Sequence, residues 1–338
     1  MSTAPTHAAS SKRDHKAATR TRLSHGLRDG TYVIRLVTAV LFAAALVLVP
    51  DFATQSNLRA LFFSVALVGI AAVGLSLITI VGRLFSLSIS ASIAASTIVF
   101  AKMLDQGPWV ALLAAVGFGL VAGLVQGLMV GRFETDPIVT TIAGAAIITG
   151  IAQIATDGRN VSNGSAETIF SGSAFGIIPT QVFLFFVVTA AVWWLHKYSV
   201  VGRVLTLVGL NENAAKISGT RVWPVIALAF AISGALAGFA GGLLASESGQ
   251  GNLQLGSTFG FDAITAVVVG GISVKGGHGS PLDAAVGAVL VGLLANALIL
   301  LGLDYQSQLM VKGVLVLLAV VIAGVASGSR DGRKAGSK

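Results

Sequence analysis

Residue types that perform covalent or metal chemistry are scarce in this sequence. It has no cysteine and five histidines, so neither a disulfide framework nor a thiolate metal site is available, and no H-E-x-x-H spacing occurs. The glycine-rich run "GGISVKGGHGS" lacks the order of a phosphate-binding loop, because Lys275 precedes the last glycines and is not followed by Ser or Thr. No catalytic residue, metal ligand or cofactor is therefore assigned to this chain. Of the ionisable residues within or beside apolar stretches, Asp105, Glu247, Asp262, Asp283 and Lys312 all fall at or near predicted span ends. Interfacial or capping roles are expected for them, which speaks against a proton-driven mechanism.

What remains is neutral hydrogen-bonding chemistry. Ser86, Ser88 and Ser90, at helical or near-helical spacing, Thr140 with Thr141, and Asn296 lie inside apolar runs. They could line a polar route, or simply bond to a neighbouring helix or their own backbone. Gly270, Gly271, Gly276, Gly277 and Gly279 break the chain between two apolar runs. That break reads either as a re-entrant turn near a pathway or the inner interface, or as a plain inner loop.

The longest internal polar segment, Tyr198 to Arg221, contains "NENAAKISG". Asn211 is placed to cap a short helix, Glu212 sits at its positive end, Lys216 lies four residues on, and Gly219 offers a left-handed stop. Ala214 and Ala215 fill its middle. Either this is an incidental helical turn or it is a rigid docking knob for a soluble partner. Glu212→Pro is expected to disrupt it.

The elements that position these residues follow from composition. The 338-residue chain is 54% hydrophobic and 11% charged, with a mean hydropathy of +0.86. About a quarter of an ordinary sequence is charged, and a soluble domain could not hide this much apolar surface. Apolar runs fall near 33–50, 58–81, 86–104, 109–130, 138–156, 180–198, 223–246, 260–274, 283–302 and 308–326. These predict an all-α polytopic membrane protein with about ten transmembrane helices, some broken or half-spanning, notably 260–274. Five runs lie in each half, an arrangement that would leave the halves inverted.

Charge placement sets the expected orientation. With both termini in the cytoplasm, all of the 22 Lys and Arg except Arg59, Lys102, Arg159 and Lys312 fall on or near the inner side. Residues 1–32 then read as a disordered basic cytoplasmic tail, 33–326 as the membrane domain with its loop at 199–222 inside, and 327–338 as a second basic tail. The net charge of +8 flanks spans and forms no stripe with interleaved aromatics, so nucleic acid is not an expected partner. Asp136-Pro137, Ser280-Pro281 with Asp283, and Pro224 mark helix starts. Gly119, Gly123 and Gly127, and likewise Gly234, Gly238 and Gly242, form rows that let helices approach closely.

Three stretches together resemble the ribose-type sugar permease family of ABC importers. They are "GRVLTLVGLNENAAKISGTRV" (Gly202 to Val222), the long glycine-rich segment from Phe261 to Gly302, and "DPIVTTIAG" with "TDG" further on (Asp136 to Gly158). The resemblance runs from about residue 40 to 326. It implies a ten-helix permease subunit in the bacterial plasma (inner) membrane, pairing with a second permease copy, ABC ATPase subunits and an extracytoplasmic solute-binding protein. ATP and Mg would be bound by the partner ATPase, whose groove would receive the helix at Asn211 to Gly219. Two departures bear on the cargo. The family usually carries G-I-D-L-S-V-G where "LFSLSIS" stands here, and N-G-L-N where Asn296 to Ile299 stand. A sugar, or a nucleoside, inositol or furanosyl signal molecule, is the expected solute. The alternatives are a self-contained secondary transporter or facilitator, and a membrane-embedded enzyme, for which no meeting carboxylates or histidines are evident.

Overall fold

A computed structural model describes residues 35–162, 170, 172–174, 178–304, 306–318 and 321. The two tails assigned to 1–32 and 327–338 lie outside the described residues. Helices α1 (Arg35–Leu48), α2 (Gln55–Ile80), α3 (Ile89–Met103), α4 (Pro108–Arg132), α5 (Pro137–Thr156) and α6 (Thr180–Tyr198) are followed by α7 (Val200–Leu210) and α8 (Glu212–Ile217). Then come α9 (Val222–Ser248), α10 (Phe259–Val269), α11 (Pro281–Leu300) and α12 (Gln306–Leu318). Two small antiparallel pairings join 161–162 to 250–251 and 173–174 to 178–179.

Each of the ten apolar runs contains a helix among its described residues. Six helices, α2, α4, α5, α6, α9 and α11, are long and apolar enough to cross a membrane. The 15 residues of α3 and 11 of α10 reach only about 22 and 16 Å at 1.5 Å per residue, short of a hydrocarbon core about 30 Å thick. Both follow a non-helical stretch, residues 81–88 and 249–258. The run 86–104 thus becomes helical only at Ile89, leaving Ser86 and Ser88 outside the helix.

Helix starts follow their local chemistry. Asp136 Oδ1 accepts from the amides of Ile138 (2.9 Å) and Val139 (3.0 Å), with Pro137 at the first helical position where its missing N–H costs nothing. Ser280 Oγ accepts from Leu282 N (3.3 Å), with Pro281 at the first helical position and Asp283 in the first turn.

The core is built on α2. From Val65 to Ile80 its side chains are buried all round, as expected of a helix that is apolar on every face. Helices α4 and α9 make the closest approach: a Cβ on Gly119 or Gly123 would run into the backbone of Gly234 or Phe230, and one on Gly234 or Gly238 into that of Gly119 or Ala115. The two glycine rows therefore face one another. The stretch 249–258 runs along α3, where Thr97 Oγ1 donates to Asn252 O (3.2 Å) and accepts from Asn252 N (3.1 Å). Such bonds satisfy backbone groups that would otherwise be buried without partners.

One element was not legible beforehand. The polar segment after α6 holds two helices, the eleven-residue α7 and then α8.

Candidate functional site

The short helix α8 is fixed at both ends as its residue types require. Asn211 Oδ1 accepts from Ala214 N at 3.0 Å. At the other end Thr220 N bonds Ala215 O (3.1 Å) and Gly219 N bonds Lys216 O (3.0 Å), with Gly219 at φ +81°, a Schellman stop. Ala215 is buried, whereas Ile217 is 88% exposed. Glu212 Oε2 lies 2.8 Å from Arg83 at the end of α2, and Glu212 Oε1 lies 3.0 Å from Lys216. Lys216 also reaches Glu134, in the turn between α4 and α5, at 3.3 Å. Its hydrogen bonds to Glu212 and Glu134, reinforced by their charges, hold the ammonium above the usual lysine pKa. Glu212 is the first helical residue, a position that accepts proline, so Glu212→Pro would remove the Arg83 pair without breaking the helix.

The glycine-rich break belongs to the same end of the bundle. Gly277 N donates to Ile80 O (2.8 Å) at the end of α2. A Cβ on Gly276 would lie 2.6 Å from Gly82 Cα, and one on Gly209 would lie 2.5 Å from Gly277 N. Backbones from the ends of α2 and α7 and from this segment thus touch directly, two residues before Asn211. Gly271, Gly276, Gly277 and Gly279 adopt positive φ, and Gly270 packs against the Asp283 backbone at the start of α11. The segment is a brace against the ends of α2 and α7.

A polar cavity lies further inside, between the 81–88 stretch, α3, α4 and α9. Ser86 and Ser88 hydroxyls share a hydrogen bond of 2.9 Å, and Ser88 donates to Gln126 Oε1 on α4 at 2.7 Å. Ser92, Ser233, Phe230 and Gly234 complete its wall. The serines and Gln126 are all at most 5% exposed, and no charged side chain lines the space. Thr141 braces the rim, its Oγ1 accepting from Leu87 N (3.2 Å) and donating to Pro137 O (2.9 Å). The space is small, about 10 Å³ or roughly one water, so in this conformation the lining can hydrogen-bond a single polar group; among the described residues it offers no group for proton transfer at neutral pH.

The other sequence candidates lie elsewhere. Ser90 packs against Gly260 at the start of α10. Thr140 bonds Thr135 at 2.7 Å in an exposed turn. Asn296 exchanges two amide hydrogen bonds with Asn57 on α2, at 3.0 and 2.7 Å, joining α11 to α2. Gln126, Ser92 and Ser233 were missed; the one available signal was that Gln126 is the sole amide in α4. Asp262, in the first turn of α10, and Lys312 on α12 form a largely buried ion pair at 2.7 Å, with side chains 13% and 7% exposed, a contact that the sequence did not indicate. Among the described residues no group of three metal-ligating side chains occurs.

The cavity and α8 are linked in space, since Arg83, paired with Glu212, lies three residues before Ser86 and one after Gly82, which touches the brace. Residues 57–321 match a family model described as the branched-chain amino acid transport system / permease component. The ribose import permease protein RbsC of Escherichia coli (strain K12) is 30% identical over 290 residues, covering 84% of this chain and 90% of the relative. RbsC of Bacillus subtilis (strain 168) is 30% identical over 87% of this chain and 90% of its own length. The L-arabinose ABC transporter permease protein AraH of Azospirillum brasilense is 30% identical over 85% and 86% respectively. The chain belongs to this family of multi-pass membrane permeases, and within it to the ribose-type sugar permeases of ABC transporters.

Proposed function

We propose that this chain is the membrane subunit of a binding-protein-dependent importer for a sugar or sugar-like solute, and that partner ATPases drive it through α8. Two permease copies in a bacterial plasma membrane, with the α8 end cytoplasmic, would receive solute from an extracytoplasmic binding protein. ATP and Mg would be held by the partner ATPases. The observation that carries this reading is the Arg83–Glu212 ion pair (2.8 Å). It fastens an exposed helix bearing Ile217 to the stretch that presents Ser86 and Ser88 to the polar cavity. A push on α8 (Asn211, Glu212, Ala214, Ala215, Lys216, Gly219) would be delivered to the cavity wall, and a two-state bundle biased in this way alternates its access. The uncharged lining suits the hydroxyls of a neutral polyol, in keeping with the ribose and L-arabinose in the relatives' names, and admitting a whole solute requires the pocket to widen as the bundle switches.

The test is a double-mutant cycle in vesicles holding the assembled transporter. Arg83→Gln and Glu212→Gln should each lower ATP-driven uptake by about fivefold, and the double variant should be no worse than either single. Losses that multiply, or uptake unchanged in both singles, would refute the link. A second reading, a gradient-driven transporter, draws on the buried Asp262–Lys312 pair; it requires uptake that collapses with the ion gradient and ignores ATP.

A further inference from the structure

Beside the α8 platform, the junction of α6 and α7 carries a different chemistry. Helix α6 ends in Trp193, Trp194, His196, Lys197 and Tyr198. The Trp193 and Tyr198 rings meet edge to face at 5.9 Å, and Lys197 Nζ stands 4.7 Å from the centre of the Trp193 ring and 5.3 Å from that of Tyr198. Trp194 and Tyr198 are exposed. Aromatic rings and a lysine at the end of an apolar helix mark the level at which it leaves the bilayer. The chain then turns at Ser199 into α7, which buries Leu205 and Val208 and leaves Val200 and Leu207 open. Apolar groups exposed at the headgroup level place α7 in the interfacial plane.

Between the two helices and the start of α11 lies a groove of about 560 Å³, lined by Trp193, His196, Lys197, Arg203, Thr206 and Ser280 among others. Among the described residues no carboxylate lines it. Among the described residues neither Lys197 nor Arg203 pairs with an acidic side chain. Ser280 Oγ accepts from Leu282 N, which leaves its hydroxyl hydrogen to donate. His196 also lines the groove, with its Nδ1 buried and without a hydrogen-bond partner among the described residues. Two uncompensated cations and a hydroxyl donor in one groove, at the height where lipid phosphates sit, are complementary to a phosphodiester.

We propose that this groove is a binding site for the headgroup of an anionic phospholipid, with Lys197 and Arg203 on its phosphate, Ser280 donating to it, and the acyl chains lying along the exposed Phe186 and Trp194 of α6. A lipid held there would clamp α6, α7 and the glycine-rich brace together. The proposal rests on α6 crossing the bilayer and is independent of which solute is carried or what drives it.

Native mass spectrometry of the purified full-length chain, titrated with phosphatidylglycerol or phosphatidylcholine, tests it. The wild-type chain should retain phosphatidylglycerol selectively. The double variant Lys197→Gln/Arg203→Gln should bind it about thirtyfold more weakly, the factor expected for two cations at an anionic surface. Thr206→Trp, which fills the groove and keeps both charges, should give a comparable loss, and Lys275→Gln should give none. Thermal unfolding of each variant establishes that it is folded, and if the double variant is not, Thr206→Trp decides alone. Equal retention of both lipids, or phosphatidylglycerol binding unchanged in Thr206→Trp, would overturn the proposal. So would displacement of the lipid by millimolar inorganic phosphate, which would make the groove a site for a soluble anion.

Discussion

Asp262 and Lys312 show how far a single pair of side chains governs this bundle. An ammonium and a carboxylate removed from water are tolerable only together, so deleting one partner leaves an uncompensated buried charge. Asp262→Ala or Lys312→Ala should each destabilise the protein by about 3–5 kcal/mol in reversible unfolding, while Asp262→Leu/Lys312→Met should recover most of that loss. An additive double variant would contradict the pairing. Their burial was not legible in the sequence, because α10 starts only after a non-helical stretch alongside α3. The other break, at 81–88, explains why Ser86 and Ser88 share a cavity while Ser90, inside α3, turns toward Gly260. On α8, the raised pKa of Lys216 sets a sign: its attachment is complete below the unfolded value of 10.5 and is lost as pH rises through the higher folded value. Because the chain has no cysteine, a spin label at Ile217→Cys reports on this helix alone. Its mobility should stay constant across neutral pH and rise only in strong alkali; a transition near neutrality would contradict the assignment.

Among the elements, the α4–α9 pair shows what a repeat of small residues specifies. Four-residue spacing of glycines was readable and indicated close packing, but spacing on one helix cannot say which helix it meets. The structure answers that the two rows meet each other. Gly234→Leu should therefore be costly, at least the roughly 1–3 kcal/mol of an overpacked core, because its Cβ would enter the Gly119 backbone. Gly117→Leu, on the open side of α4, should be nearly neutral. Comparable unfolding midpoints for the two variants would refute the interface. The capped α8 was legible because Asn211 and Gly219 are local signals that need no tertiary context. The amphipathic α7 was hidden because its eleven residues sit in a segment marked out by its charges.

Across the whole molecule, one order of elements occurs twice. A long helix (α2, α9) is followed by a non-helical stretch, a short helix (α3, α10) and then two further helices (α4 and α5, α11 and α12). Five apolar runs per half would set the second copy upside down relative to the first, so the two short helices would enter the bundle from opposite faces. No sequence likeness between the halves announced this, since what repeats is the placement of breaks. The α8 platform, the glycine brace and the extended route from Arg83 to Ser86 all lie at one end of this arrangement. The lining of the cavity holds no charge that could couple to an ion gradient. On the proposed function, the bundle is a conduit whose work would be done from outside through α8. The most direct measurement is accumulation of labelled solute in sealed vesicles, with the purified chain alone and with its ATPase and binding-protein partners plus ATP. Uphill accumulation only with partners and ATP is the predicted result; uphill accumulation by the chain alone, driven by an ion gradient, would contradict it.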